Sequence, residues 1–260
     1  MELLEYNLGT AVRAFSTMRG EGSGNYGGFN ITHYCGDNHE HVTECRKQLC
    51  RQLNIEEKRL ILPRQTHGNN ICCIDEGFMQ LQPQEQQRAL DGIDAVITAQ
   101  PHTCIGVSTA DCTPVLMYDS RQGVIAAIHA GWRGTVEHIV WKCITAMKEE
   151  HGCMPSYIKA VIAPCISQEA FEVGNEVYEA FKEKGFPMER IAKLYPTRDG
   201  AKKWHIDLKE ANRLQILAGG IPENNIQVSG ICTYGEHGRF FSARRLGIES
   251  GRIFNGIMLL

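Results

Sequence analysis

Several signatures are missing from this 260-residue chain, and each absence removes a class of function. No Cys-x-x-Cys occurs among the eleven cysteines, which disfavours a zinc ribbon, a thioredoxin-like redox pair and a c-type haem attachment. No apolar run approaches roughly 18 residues, so no membrane-spanning helix is expected. The net charge of −3 lacks the basic excess that nucleic acid or an anionic membrane surface attracts, and neither is expected as a partner. The opening MELLEYNLGTAVRAF has no basic stretch leading into a long apolar core and does not read as a signal peptide. The Gly-rich stretch Met18–Asn30 has no Gly-Lys-Ser/Thr ending, so it is not a Walker A phosphate loop. It reads either as a surface loop or as a border of the active site.

What is present describes an ordinary globular protein. Apolar residues make up 43% and charged residues 22%, enough for a substantial core in one domain spanning 1–260. No internal repeat or linker divides the chain. Without an export signal the cysteines read as reduced thiols of a cytoplasmic protein, most of them buried as small apolar groups. Strands are expected at 11–16, 60–62, 71–74, 95–98, 103–108, 157–163, 226–231 and 252–260. Helical spacing marks 41–53, 176–184 and 208–217, the last with Asp207 as its cap and Gly219-Gly220 after it. A further helix is expected from Val136 to about Glu150, capped by Thr135 after a tight turn at 131–134. The Gln-rich segment 80–88 reads as an exposed loop. Hairpins and single strands outnumber helices, which predicts a mixed-sheet α/β or α+β domain rather than a regular doubly wound fold.

The most informative stretch is GVSTADCTPVLMYDSRQGVIAAIHAGWRGT, residues 106–135. Its apolar runs 114–118 and 124–128 read as a hairpin. With the loop centred between Ser120 and Arg121, paired positions sum to 241 and Cys112 falls opposite His129, about 5 Å away at the backbone. A bulge at Gly123 shifts that register by one and leaves the two residues close. Thiolate with imidazole is a common zinc donor set, and a catalytic zinc keeps three protein ligands and one open position. His67, in the polar RQTHGNN turn, is the best-placed third ligand.

Four segments together carry a resemblance: RQTHG (64–68), TADCTPVLMYD (109–119), AAIHAGWRGT (126–135) and FEVGNEVYEAF (171–181). With FSTMRGEGSGNY (15–26) and FFSARRLGIESGR (240–252), they make the chain similar to the YfiH family, also called laccase-domain or multicopper polyphenol oxidase-like proteins. The resemblance runs in order from about residue 13 to the C-terminus. It implies a single α/β sandwich and a catalytic Zn2+ on His67, Cys112 and His129. It also implies purine nucleosides and phosphate as substrates: phosphorolysis of adenosine, inosine, guanosine and methylthioadenosine, and deamination of adenosine. A copper-dependent polyphenol oxidase label and a role in editing peptidoglycan precursors also travel with the family. For the latter, Cys112 becomes a nucleophile with His129 as its base. The expected assembly is a monomer or homodimer.

The residues suit nucleoside chemistry in part. A Cys-His-His zinc resembles in kind the zinc deaminases, in which the metal activates water for attack on C6 of adenine. Those enzymes add a Glu in an H-x-E motif; here there is none, and Asp111 is the candidate proton shuttle. Phosphate requires a cation, for which Arg64 and Arg133 flank the ligand candidates, with Arg244 and Arg245 as weaker choices. Thr109 and Ser108 are candidate substrate hydroxyl contacts, and Trp132 and Phe241 candidate purine-stacking rings. Ten histidines with one H-x-H pair, His39 and His41, are too few and too scattered for a multicopper cluster, although copper in place of zinc is a possible substitute. Thr113 and Ala243 stand where the family usually has Leu and an aromatic, and the Gly-rich loop carries Glu21.

Overall fold

The computed structural model describes residues 1–197 and 200–260. Two sheets face each other. One has the order β1 (Leu3–Tyr6), β2 (Val12–Thr17), β14 (Ile253–Leu259), β6 (Cys104–Thr109), β3 (Leu60–Ile61), antiparallel except for β3 with β6. The other has the order β13 (Ile226–Val228), β9 (Ile158–Ile162), β7 (Thr113–Asp119), β8 (Val124–Ala130), β5 (Ala95–Thr98), β4 (Ile71–Ile74), parallel only in its two outermost pairs. A small antiparallel sheet, β10 (Glu172–Val173), β12 (Lys202–Ile206) and β11 (Ala192–Pro196), had no counterpart among the expected strands.

Strand alternation sorts the side chains into layers. Val12, Ala14, Ile105, Val107 and Ile257 meet Val96, Leu116, Ile125, Ala127 and Val161 between the sheets. The outer face of the five-stranded sheet carries Phe15, Cys104, Phe254 and Met258, which take Cys45, Leu49 and Leu53 of helix α1 (His39–Leu53). Six further helices or helical turns follow α1 through the chain: α2 (Glu76–Gln80), α3 (Pro83–Ala89), α4 (Trp132–Val136), α5 (Ile139–His151), α6 (Asn175–Glu183) and α7 (Met188–Ile191). They are completed by α8 (Leu208–Ala218) and α9 (Ala243–Leu246). The outer face of the six-stranded sheet packs Ile97, Val115, Met117, Ala126 and Ile128 on Ile139, Val140, Cys143, Ile144 and Met147 of α5 and Ile216 of α8. The result is helix, sheet, sheet, helix: the mixed α/β sandwich expected from the sequence. Strands β7 and β8 are buried on both faces, which is why they read as unbroken apolar runs.

Four local expectations are corrected. The hairpin closes at Asp119 opposite Val124, so paired positions sum to 243 and His129 faces Pro114 rather than Cys112. The cause is the four-residue loop 120–123: the buried Asp119 carboxylate accepts from the backbone N–H of Arg121 and Gln122, and Gly123 turns the chain at φ 64°. The segment 80–88 is not an open loop; Gln82 and Glu85 form a capping box around Pro83 and start α3. Residues 131–134 are not a bare turn but open α4. Thr135 lies inside α4, and α5 starts at Ile139 behind His138 in the left-handed region at φ 59°.

No helix among the described residues is long and apolar enough to cross a membrane.

Candidate metal centre

His129 lies near the end of β8 with its side chain on the inter-sheet face, and only 2% of it is exposed. Its Nδ1 stands 2.7 Å from Asp94 Oδ1, at the entry to β5. Asp94 is fully buried and accepts three more bonds, from the backbone N–H groups of Thr66, His67 and Gly68 at 3.3, 3.0 and 2.7 Å. One carboxylate therefore orients the His129 ring and shapes the turn that carries His67. Gln65 secures the same turn from the other side: its amide accepts from the Ser108 N–H at 2.7 Å and donates to the Ser108 carbonyl at 2.8 Å, continuing the edge of β6. His67 sits at φ 62°, exposed, with its ring 4.9 Å from that of His129 and nearly perpendicular to it.

Cys112 arrives by a different route from the one the sequence indicated. It precedes β7 in a bend whose preceding residue, Asp111, sits at φ 88°. Asp111 is buried; its Oδ1 accepts from the Thr233 hydroxyl and its Oδ2 from the Arg244 N–H, both at 2.7 Å. A left-handed conformation at a non-glycine residue costs about 1–3 kcal/mol and persists only where the surroundings enforce it. Those two bonds, with Ile166 N–H on the Asp111 carbonyl, supply the enforcement.

The donor atoms of His67, Cys112 and His129 all lie within 4.8 Å of one another. Burial pushes the Cys112 thiol up, but His129 and then His67 outweigh it and bring the pKa down to about 6. Burial pulls His129 down, yet Cys112 and Asp94 raise it to about 9. Asp94 is raised by burial but held below the usual carboxylate range by His129 and the Gly68 and Thr66 N–H groups. A thiolate facing two imidazoles, one of them backed by a carboxylate, is the donor chemistry of a zinc-type site. Gly131 makes room for it: a Cβ there would lie 3.0 Å from His67 Cδ2 and 3.4 Å from Cys112 Sγ. Gly134 lets α4 approach the His67 turn, since its Cβ would stand 2.7 Å from the Gly68 carbonyl oxygen. The residues present fit a metal ion with three protein ligands, open toward the exposed His67 side.

A cleft of about 400 Å³ lies over the trio. It is lined by Gln65, Ser108, Thr109 and Asp111 on its polar side and by Tyr34, Ile166, Phe171, Ala243 and Ile248 on its apolar side, with Arg244 and Arg252 at its wall. The size suits a small-molecule site. Several residues singled out from the sequence fall elsewhere. Arg64 is exposed and paired with Asp91 at 2.6 Å, and Arg133 lies over the Trp132 ring; neither lines the cleft. Arg245 lies over Tyr234, outside it. Trp132 packs beside the small sheet, and Phe241 is fully buried beneath Arg19, so Tyr34 and Phe171 are the aromatic rings at the cleft. Thr109 does line it, but is 1% exposed and accepts from Asn255 Nδ2 at 2.9 Å. The Gly-rich loop does not line it; Asn25 instead holds the cleft-bordering segment through Glu249 and Gly251. Asp94 was missed. Its only sequence signal is an acidic residue two positions before Val96, on the same face of the strand.

The family described as multi-copper polyphenol oxidoreductase laccase matches residues 12–260. The chain is 48% identical over 236 residues to a purine nucleoside phosphorylase from Bacteroides thetaiotaomicron, covering 91% of this chain and 86% of that one. It is 45% identical over 248 residues to adenosine deaminase RL5 from an unknown prokaryotic organism, covering 95% and 93%. The structure of YlmD from Geobacillus stearothermophilus superposes with a TM-score of 0.87 at 28% identity, covering 98% of this chain and 94% of that one. Fold, motif order and length of match agree: the chain belongs to the YfiH-like laccase-domain family.

Proposed function

We infer that the protein is a zinc-dependent purine nucleoside enzyme that cleaves the glycosidic bond of adenosine, inosine, guanosine and methylthioadenosine with phosphate, and also deaminates adenosine. The observation that carries the reading is the convergence of His67, Cys112 and His129 at the floor of a cleft of nucleoside-accepting size, in a chain 48% identical to a purine nucleoside phosphorylase and 45% identical to an adenosine deaminase. When bound, the ion supplies Lewis-acid chemistry and water activation. In phosphorolysis the C1′–N9 bond breaks with its electron pair going to the base, and a phosphate oxygen bonds C1′.

The protein's own residues have separable tasks in this reading. Tyr34 and Phe171 supply faces for a purine ring. Arg244, packed over Phe171 and anchored to the Glu172 carbonyl, is the cleft cation assigned to phosphate in place of Arg64 and Arg133. Asp111, with both oxygens already accepting, is assigned to positioning Cys112 rather than to proton transfer. Thr109 keeps its hydroxyl proton for a substrate oxygen.

The test is Cys112→Ala. Bound zinc and turnover of inosine with phosphate are expected to fall together to background, with the fold intact by circular dichroism. Turnover surviving without the metal contradicts the reading, and turnover proportional to copper with a phenol substrate replaces it with the oxidase. Full activity after chelation, lost on thiol alkylation, replaces it with a Cys112-nucleophile hydrolase.

A further inference from the structure

A second group of ligand-type side chains lies on the opposite face of the six-stranded sheet from His129 and Asp94, and none of its members lines the cleft. Cys73 stands on the edge strand β4, while Glu150 and His151 end helix α5. Cys73 Sγ is 2.6 Å from Glu150 Oε2, and the donor atoms of all three residues lie within 4.8 Å of one another. Ligand atoms around a tetrahedral zinc stand roughly 3.3–3.8 Å apart, given bonds of about 2.0–2.3 Å, so closure requires shifts of about an ångström or less. We propose that Cys73, Glu150 and His151 form a second metal site, for a divalent cation of the zinc class, that ties the edge strand β4 to the C-terminal end of α5.

Two independent features point to a cation there. The His151 ring has a buried nitrogen, Nε2, with no hydrogen-bond partner, an unmet polar atom of the kind folded proteins rarely leave. The surroundings are also negative. The Glu150 carboxylate stands 2.6 Å from Cys73 Sγ, and the carbonyl end of the thirteen-residue α5 adds its own negative pole. A divalent ion answers all of this charge. On binding, the Cys73 S–H bond breaks, the thiolate electron pair bonds the metal, and the proton leaves to solvent. Glu150 is exposed and the other two are half-buried, so water completes the coordination.

The proposal does not rest on the nucleoside reading, and its test keeps the two apart. Cobalt(II) is titrated into the full-length metal-free chain, following bound metal per chain and the near-ultraviolet sulfur-to-cobalt absorption. The expected result is two ions in the wild type, one in Cys112→Ser with the thiolate band retained, and none in Cys112→Ser/Cys73→Ser. Cys112→Ser/His151→Asn, which keeps the thiol, is expected to lose the ion as well. Zinc is expected to raise the melting temperature of Cys112→Ser and not of either double variant. A Cys112→Ser chain that binds no cobalt overturns the proposal, as does binding without the thiolate band or binding unchanged in both double variants.

Discussion

Asp94 joins two parts of the chain that are far apart in sequence, and its single buried carboxylate accepts from the His129 ring and from three consecutive backbone N–H groups of the His67 turn. Asparagine keeps the volume but offers one acceptor oxygen and two unwanted donors. Asp94→Asn is therefore expected to weaken zinc binding about 10–100-fold, the usual loss when a ligand's orienting partner is removed, and to lower stability by about 1–3 kcal/mol. Competition with a chelator and urea unfolding measure the two. A loss of stability with metal affinity unchanged contradicts the orienting role. Gly131 tests the packing around the trio without touching a ligand. Its φ of −64° is open to any residue, so Gly131→Ala adds a methyl group against His67 and Cys112 with no backbone strain. Overpacking of about 1–3 kcal/mol directed at the ligands is expected to appear as a roughly 10–100-fold loss of metal affinity. The melting temperature of the metal-free protein should barely move.

At the scale of elements, sequence periodicity located what local chemistry determines. Helix α8 is the clear case: Asp207 caps it through the Glu210 N–H, and it runs one residue past the expected end. Its Glu210 lies between Arg190 and Arg213, which hold the carboxylate below its ordinary range against the opposing effect of burial. A depressed carboxylate stabilises the fold above its unfolded pKa and loses that contribution as pH falls through the folded value. Glu210→Gln is expected to cost about 1 kcal/mol at pH 7 and nothing near pH 2, by urea unfolding at both. An equal cost at both pH values assigns the effect to packing. The hairpin was legible as two strands but not in register, because the loop length is set by the Asp119 side chain, which alternation of apolar residues does not report. The convergence of Cys112, His129 and His67 was legible because the three belong to sharp motifs. Arg64 and Arg133 fall outside the cleft because proximity in sequence to a ligand candidate does not say on which side of a turn a long side chain leaves. The small sheet β10–β12–β11 escaped notice because its strands are short and half exposed, without a clear alternation.

Across the whole molecule, the sandwich carries a polar seam between its sheets. Ser16 donates to Asn255 Oδ1 at 2.5 Å, Asn255 Nδ2 donates to Thr109 at 2.9 Å, and Tyr6 OH stands 2.7 Å from Ser16. Asn255 is fully buried, so Asn255→Ala leaves the Thr109 hydroxyl without its donor and Ser16 with Tyr6 alone, and is expected to cost about 1–3 kcal/mol by urea unfolding. Because Thr109 lines the cleft, the same variant is expected to raise KM for the nucleoside more than it lowers kcat; an unchanged KM contradicts a substrate contact at Thr109. The seam links the first and last strands of the five-stranded sheet to the cleft wall, so the fold and the site share one set of bonds. The proposed activity is metal-dependent turnover of purine nucleosides. Its most direct test is analysis of products from zinc-loaded protein incubated with adenosine and with inosine, each with and without phosphate. The expected result is phosphate-dependent release of adenine and hypoxanthine, with phosphate-independent conversion of adenosine to inosine alongside it. No product from either nucleoside, with zinc bound at His67, Cys112 and His129, contradicts it.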